Sequence, residues 1–104
     1  MANLKLSEAI IEGCKGTYQI RIQYTDEKGG YCVAGAALRP ELPPLHTSWW
    51  EEFCLRFPIT STMATHPETG AWARVGGIVI SLSDWHLWPR LSIAEWVANR
   101  VEGQ

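Results

Sequence analysis

Basic charge is scarce and scattered in this chain. Nine Lys and Arg stand against eleven Asp and Glu, the net charge is −2, and no basic run occurs. Sequence-independent binding to nucleic acid draws its affinity from many Lys and Arg contacts to phosphate, so this balance argues against it. The same shortage removes a polybasic membrane signal. No apolar run approaches the roughly 18–20 residues that span a bilayer. The opening MANLKLSEAIIEG sets two acids close behind its first hydrophobes, unlike a signal peptide. The expected setting is cytoplasmic, without a membrane.

Cysteine is also sparse. Cys14, Cys32 and Cys54 are odd in number and widely spaced, which reads as reduced thiols used as small hydrophobes. There is no Cys-x-x-Cys. The metal-ligand candidates Cys54, His66 and His86 lack the local pairing of a four-ligand zinc site, so no metal or cofactor is expected. Neither Gly29-Gly30 nor Gly76-Gly77 continues into the lysine or third glycine of a nucleotide-binding loop. With no repeat, low-complexity tract or linker, residues 1–104 read as a single domain.

Tryptophan is abundant: Trp49, Trp50, Trp72, Trp85, Trp88 and Trp96. Each can bury on the order of 150–250 Å². Along the chain, Ser7 is a candidate N-cap for a short helix carrying Ala9, Ile10, Ile11 and Cys14, ended by Gly13 and Gly16. TYQIRIQY (17–24) alternates, with Tyr18, Ile20, Ile22 and Tyr24 on one face, and predicts a half-buried strand. TDEKGG is a turn. YCVAGAAL (31–38) is either a second strand closing a hairpin or a small-residue helix. After a proline-punctuated stretch (39–46), Ser48 and Glu51 form a capping box before Trp49, Trp50, Phe53, Cys54 and Phe57, a helix that Pro58 ends. THPETG (65–70) is a loop, and VGGIVISL (75–82) fits helix or strand. Ser92 and Glu95 cap a last helix whose face carries Ile93, Trp96, Val97 and Val101.

LSEAI (Leu6 to Ile10), Gly30, Cys32 and GAAL (Gly35 to Leu38) match one pattern. Leu82, Ser83, Asp84, His86, Trp88, Arg90, Ile93, Ala94 and Trp96 complete it. In these residues the chain resembles a family of small uncharacterised proteins of bacteria and their phages or prophages. The likeness covers both ends and leaves Arg39 to Arg74 unmatched. It implies helices over 32–38 and 75–82, hence an α+β fold, mostly helical, with a small β-hairpin. It implies no activity. Where some such proteins carry Cys-x-x-Cys before paired histidines, this chain has neither, and Ser81 stands in the place of the first histidine.

Asp84 beside His86, with a thiol elsewhere, suggests a Cys-His-Asp arrangement, but nothing local sets the nucleophile-to-base distance that catalysis needs. Simpler duties fit: Asp84 ends an element, and His86 is a hydrogen-bonded histidine joining two helices. The expectation is therefore not an enzyme, and SDWHLWPRLSIAEWV reads as a structural clamp. In it, Asp84, Trp85, His86, Trp88 and Trp96 serve a core shared with Trp49, Trp50 and Phe53. Successive helical residues point about 100° apart, so one of Trp49 and Trp50 should lie at the core's edge, open to a partner or a second copy. Trp49, Trp50, Phe53 and Trp72 are the candidate partner-binding residues. The expected function is a small, non-enzymatic, phage- or prophage-encoded accessory protein that binds another protein and inhibits or modulates it. A homodimer stays open. The alternative is a nucleic-acid-associated regulator, against which SIAEWVANR offers only Asn99 and Arg100 as contact residues. A third class, a hydrolase-like enzyme, would need a reactive Cys32 or Cys54.

Overall fold

The computed structural model describes residues 4–19, 30–38 and 49–103. Leu6, Ala9, Ile10 and Gly13 recur at three- and four-residue spacing and are buried, which forms helix α1 (Leu6–Cys14). Ile11, expected on that face, is exposed. Ser7 does not cap the helix. The helix starts two residues earlier, with Lys5 at the cap and its N–H donating to the Glu8 carboxylate at 3.0 Å. Ser7 is buried, and its N–H (3.0 Å) and its hydroxyl both donate to Glu102. A carboxylate from the far end of the chain thus meets the α1 N-terminus, where the helix dipole favours negative charge.

Of the two readings of 31–38, the strand closing a hairpin is not the one taken, since 33–38 are helical. Strands β1 (Tyr18–Gln19) and β2 (Gly30–Tyr31) pair in parallel, Tyr18 with Gly30 and Gln19 with Tyr31. The rest of TYQIRIQY and the TDEK turn lie outside the described residues. The face is reversed as well: Tyr18 is exposed and Gln19 is half-buried. Gln19 turns inward because both ends of its amide find partners there. Its Nε2 donates to the Trp88 carbonyl (2.9 Å), and its Oε1 accepts the Arg90 N–H (3.1 Å).

Residues 33–38 are helical, as the family resemblance implied: α2 (Val33–Leu38) is buried at all six positions. A helix can be enclosed this fully only if its side chains are small enough for neighbouring backbones to close in. At Gly13 they do: an added Cβ would lie 1.6 Å from the Ala36 carbonyl oxygen.

Helix α3 (Trp49–Arg56) buries Phe53; a 3₁₀ turn (Pro58–Ser61) follows. The proposed Ser48 cap lies outside the described residues. The hairpin of the fold is β3 (Met63–Thr65) with β4 (Trp72–Arg74), antiparallel, Ala64 opposite Ala73. Helix α4 (Val75–Asp84) resolves the ambiguity of VGGIVISL in favour of the helical period, because Val75, Ile78, Val79 and Leu82 are buried together. Helix α5 (Arg90–Trp96) starts before Ser92, so Ser92 is no cap; Pro89 holds that position and Gln19 takes the first free N–H. The helix continues as a π-helical turn, Val97–Glu102.

Leu6, Ile10, Val33, Leu38, Phe53, Val79, Leu82, Ile93 and Val97 belong to one buried cluster fed by all five α-helices. The architecture is α+β, mostly helical, with a small antiparallel hairpin. No helix among the described residues is long and apolar enough to cross a membrane.

Gly13→Ala should lower stability by about 2–3 kcal/mol, since the obstacle is backbone that cannot rotate away. Gly77→Ala, where a Cβ meets nothing within 4 Å, should raise it by about 0.5–1 kcal/mol. Urea unfolding of both variants separates packing from helix propensity.

Candidate functional site

The β3–β4 hairpin is oriented against expectation for a core element. Ala64 and Ala73 turn inward against the buried cluster, while Met63 (42% exposed), Thr65, Trp72 (68% exposed) and Arg74 turn out. Backbone bonds from His66 N–H to the Ala71 carbonyl and from Val75 N–H to the Thr62 carbonyl, both 2.8 Å, flank the strands. That phase makes Met63–Arg74 and Thr65–Trp72 the non-hydrogen-bonded pairs, whose side chains stand closest. Beside this face opens a cleft of about 600 Å³, lined by Met63, Thr65, Pro67, Trp72, Trp96 and Arg100.

The hairpin loop is organised by His66, which is buried. Its Nδ1 accepts N–H bonds from Glu68 (3.1 Å) and Thr69 (3.2 Å), and Gly70 closes the turn at a φ of +76° that favours glycine. Its Nε2 lies 3.1 Å from Ser81 Oγ on α4, and its ring stands edge-on to His86 at 5.0 Å. His86 Nδ1 is 3.7 Å from Glu68. Burial lowers the His66 pKa, the His86 ring adds to this, and Glu68 opposes it. Two N–H donors aimed at Nδ1 leave no room for a proton there, so the neutral ring carries its proton on Nε2 and donates to Ser81. A general base facing a serine needs the opposite tautomer. As arranged, the pair ties the loop to α4 and cannot activate Ser81.

Cys32 and Cys14 are likewise unsuited to attack. Burial pushes the Cys32 pKa up, the Asp84 carboxylate adds to it, and backbone N–H bonds, Gly35 at 3.4 Å among them, only partly offset this. Burial also raises Cys14, against the pull of Arg90. A reactive thiol is a lowered one. Among the described residues no three His, Cys, Asp or Glu side chains converge as a metal requires.

The expected site residues are dispersed. Phe53 is fully buried, with ring contacts to Trp50 at 6.0 Å and Phe57 at 5.8 Å, so it belongs to the core and offers a partner nothing. Trp50 is 41% exposed, with its ring edge over Gly76. The Trp49 side chain lies outside the described residues. Within the supposed clamp, Trp96 is buried and Trp88 packs against the core, but Trp85 is 75% exposed and clamps nothing. It falls at the end of α4, of which Asp84 is the last residue. The chain then swings out through Leu87, at a φ of +58°, so that the Trp88 N–H reaches the Leu82 carbonyl at 2.8 Å. Sequence reading missed Met63, the His66–Ser81 tie and the inward Gln19. The mirrored triplets Met-Ala-Thr and Trp-Ala-Arg around THPETG, each with alanine at its centre, were the available signal for the hairpin.

Compared with known proteins, the chain matches no family model, no curated protein and no solved structure.

His66 provides a pH test. Unfolded, it takes up a proton near the ordinary value of about 6.5; folded, only at lower pH. Its contribution is complete above about pH 6.5 and is lost as pH falls through the lowered native value. Urea midpoints should therefore drop between pH 7 and 5, and His66→Phe should remove most of that slope.

Proposed function

We propose that this chain is a small non-enzymatic accessory protein that works by binding another protein. Phage or prophage origin, and a role as inhibitor or modulator of a host factor, belong to the same proposal. The observation that carries the reading is the inverted hairpin. A fold seeking only cohesion would turn Trp72 inward and its alanines out; this one packs the half-buried Ala64 and Ala73 against the core and presents Trp72 with Met63. Tryptophan is a favoured anchor at protein interfaces, and methionine adapts to irregular partners. The neutral, Nε2-protonated His66 and the raised Cys32 support leaving chemistry out of the role.

Trp72→Ala tests this. Since the indole is mostly exposed, stability should change by no more than about 0.5–1 kcal/mol. A protein captured reproducibly by the native chain from its source lysate should bind the variant at least about 30-fold more weakly, the scale of an interface anchor. Equal capture by both chains would remove the hairpin from the function.

A further inference from the structure

We propose that the cleft between the hairpin and the π-helical turn takes a short peptide segment in which a large apolar side chain stands next to an Asp or Glu. This rests on the protein-binding reading and specifies the partner's chemistry. The volume of about 600 Å³ lies inside the roughly 300–1,000 Å³ range of ligand-sized pockets. It suits one aromatic or branched side chain with its flanking backbone, and is short for a whole helix. Trp72, Met63, Pro67 and Trp96 supply apolar walls, and Thr65 a hydroxyl.

Charge decides the rest. Arg100 is the cation of the lining, no carboxylate stands among the described lining residues, and none of the described ion pairs involves it. A guanidinium beside an apolar cleft selects a carboxylate, which it can hold through two parallel N–H bonds. A nucleic-acid backbone would call for several cations. Arg100 is also presented from a firm support. It rides on a full π-helical turn, a rare conformation often found at functional sites. That turn is held at one end by buried Trp96 and Val97 and at the other by Glu102 on Ser7. A side chain delivered by fixed backbone loses less entropy on binding.

The experiment pans a random decapeptide library, displayed on phage, against the full chain. Enriched sequences should share an Asp or Glu within two residues of a Trp, Phe, Leu or Met. A synthetic copy of the strongest should lose at least about 30-fold in affinity on Trp72→Ala and about 10-fold on Arg100→Gln, with Arg100→Lys between. Melting temperatures certify that each variant is folded. No shared sequence, a consensus without an acid, or indifference to Arg100→Gln overturns the proposal. So does tighter binding of a fluorescein-labelled deca-thymidine that Trp72→Ala abolishes, which would give the cleft to single-stranded nucleic acid. Lysate capture lost on Trp72→Ala but unmoved by Arg100→Gln would spare the protein-binding reading and sink only this one.

Discussion

The backbones of α1 and α2 touch at Gly13 and Ala36, and the remaining elements are arranged around that contact. A hydrogen is all that fits between the Gly13 Cα and the Ala36 carbonyl. The approach lets a six-residue helix of Val, Ala, Gly and Leu be enclosed on every side. A helix that short is marginal by itself and depends on packing for its existence. Helices α3, α4 and α5 then bring Phe53, Val79, Leu82 and Ile93 into the same buried cluster.

Around this centre, chain ends are secured by partners distant in sequence. Glu102 satisfies donors at the start of α1, Gln19 satisfies the start of α5, and the buried Arg90 guanidinium donates to the Thr17 hydroxyl (3.0 Å) and carbonyl (3.1 Å). Helix termini leave backbone groups unpaired, and any well-placed acceptor will serve. Evident local caps at Ser7 and Ser92 were therefore displaced by carboxylate and amide groups arriving from elsewhere. The same ties hold the C-terminal turn, and with it Arg100, steady beside the hairpin.

The hairpin combines rigidity with exposure. His66 fixes its loop through two N–H bonds and pins it to α4 through Ser81. Its inner alanines let it lie close on the core, which leaves the bulky residues of both strands nowhere to go but outward. An exposed indole on a firmly held ribbon is pre-organised for contact, since little freedom remains to be lost there.

From residues alone, helices over 49–57 and from Ser92 to about Val101 followed from apolar spacing, and the scarcity of basic charge argued against phosphate-rich partners. Those are local or summed properties, which need no knowledge of neighbours. The resemblance in the two ends of the chain implied a helical state for 32–38 and 75–82. Which tryptophans are buried was another matter: Trp96 and Trp85 sit in the same aromatic segment, yet one is core and the other is open to solvent. Burial depends on what packs opposite, and only the tertiary arrangement supplies that. It likewise set the true position of the hairpin, the inward turn of Gln19 and the meeting of Trp72 with Arg100. The last two have no period or motif to betray them, because each arises from segments that are far apart along the chain and adjacent only once folded.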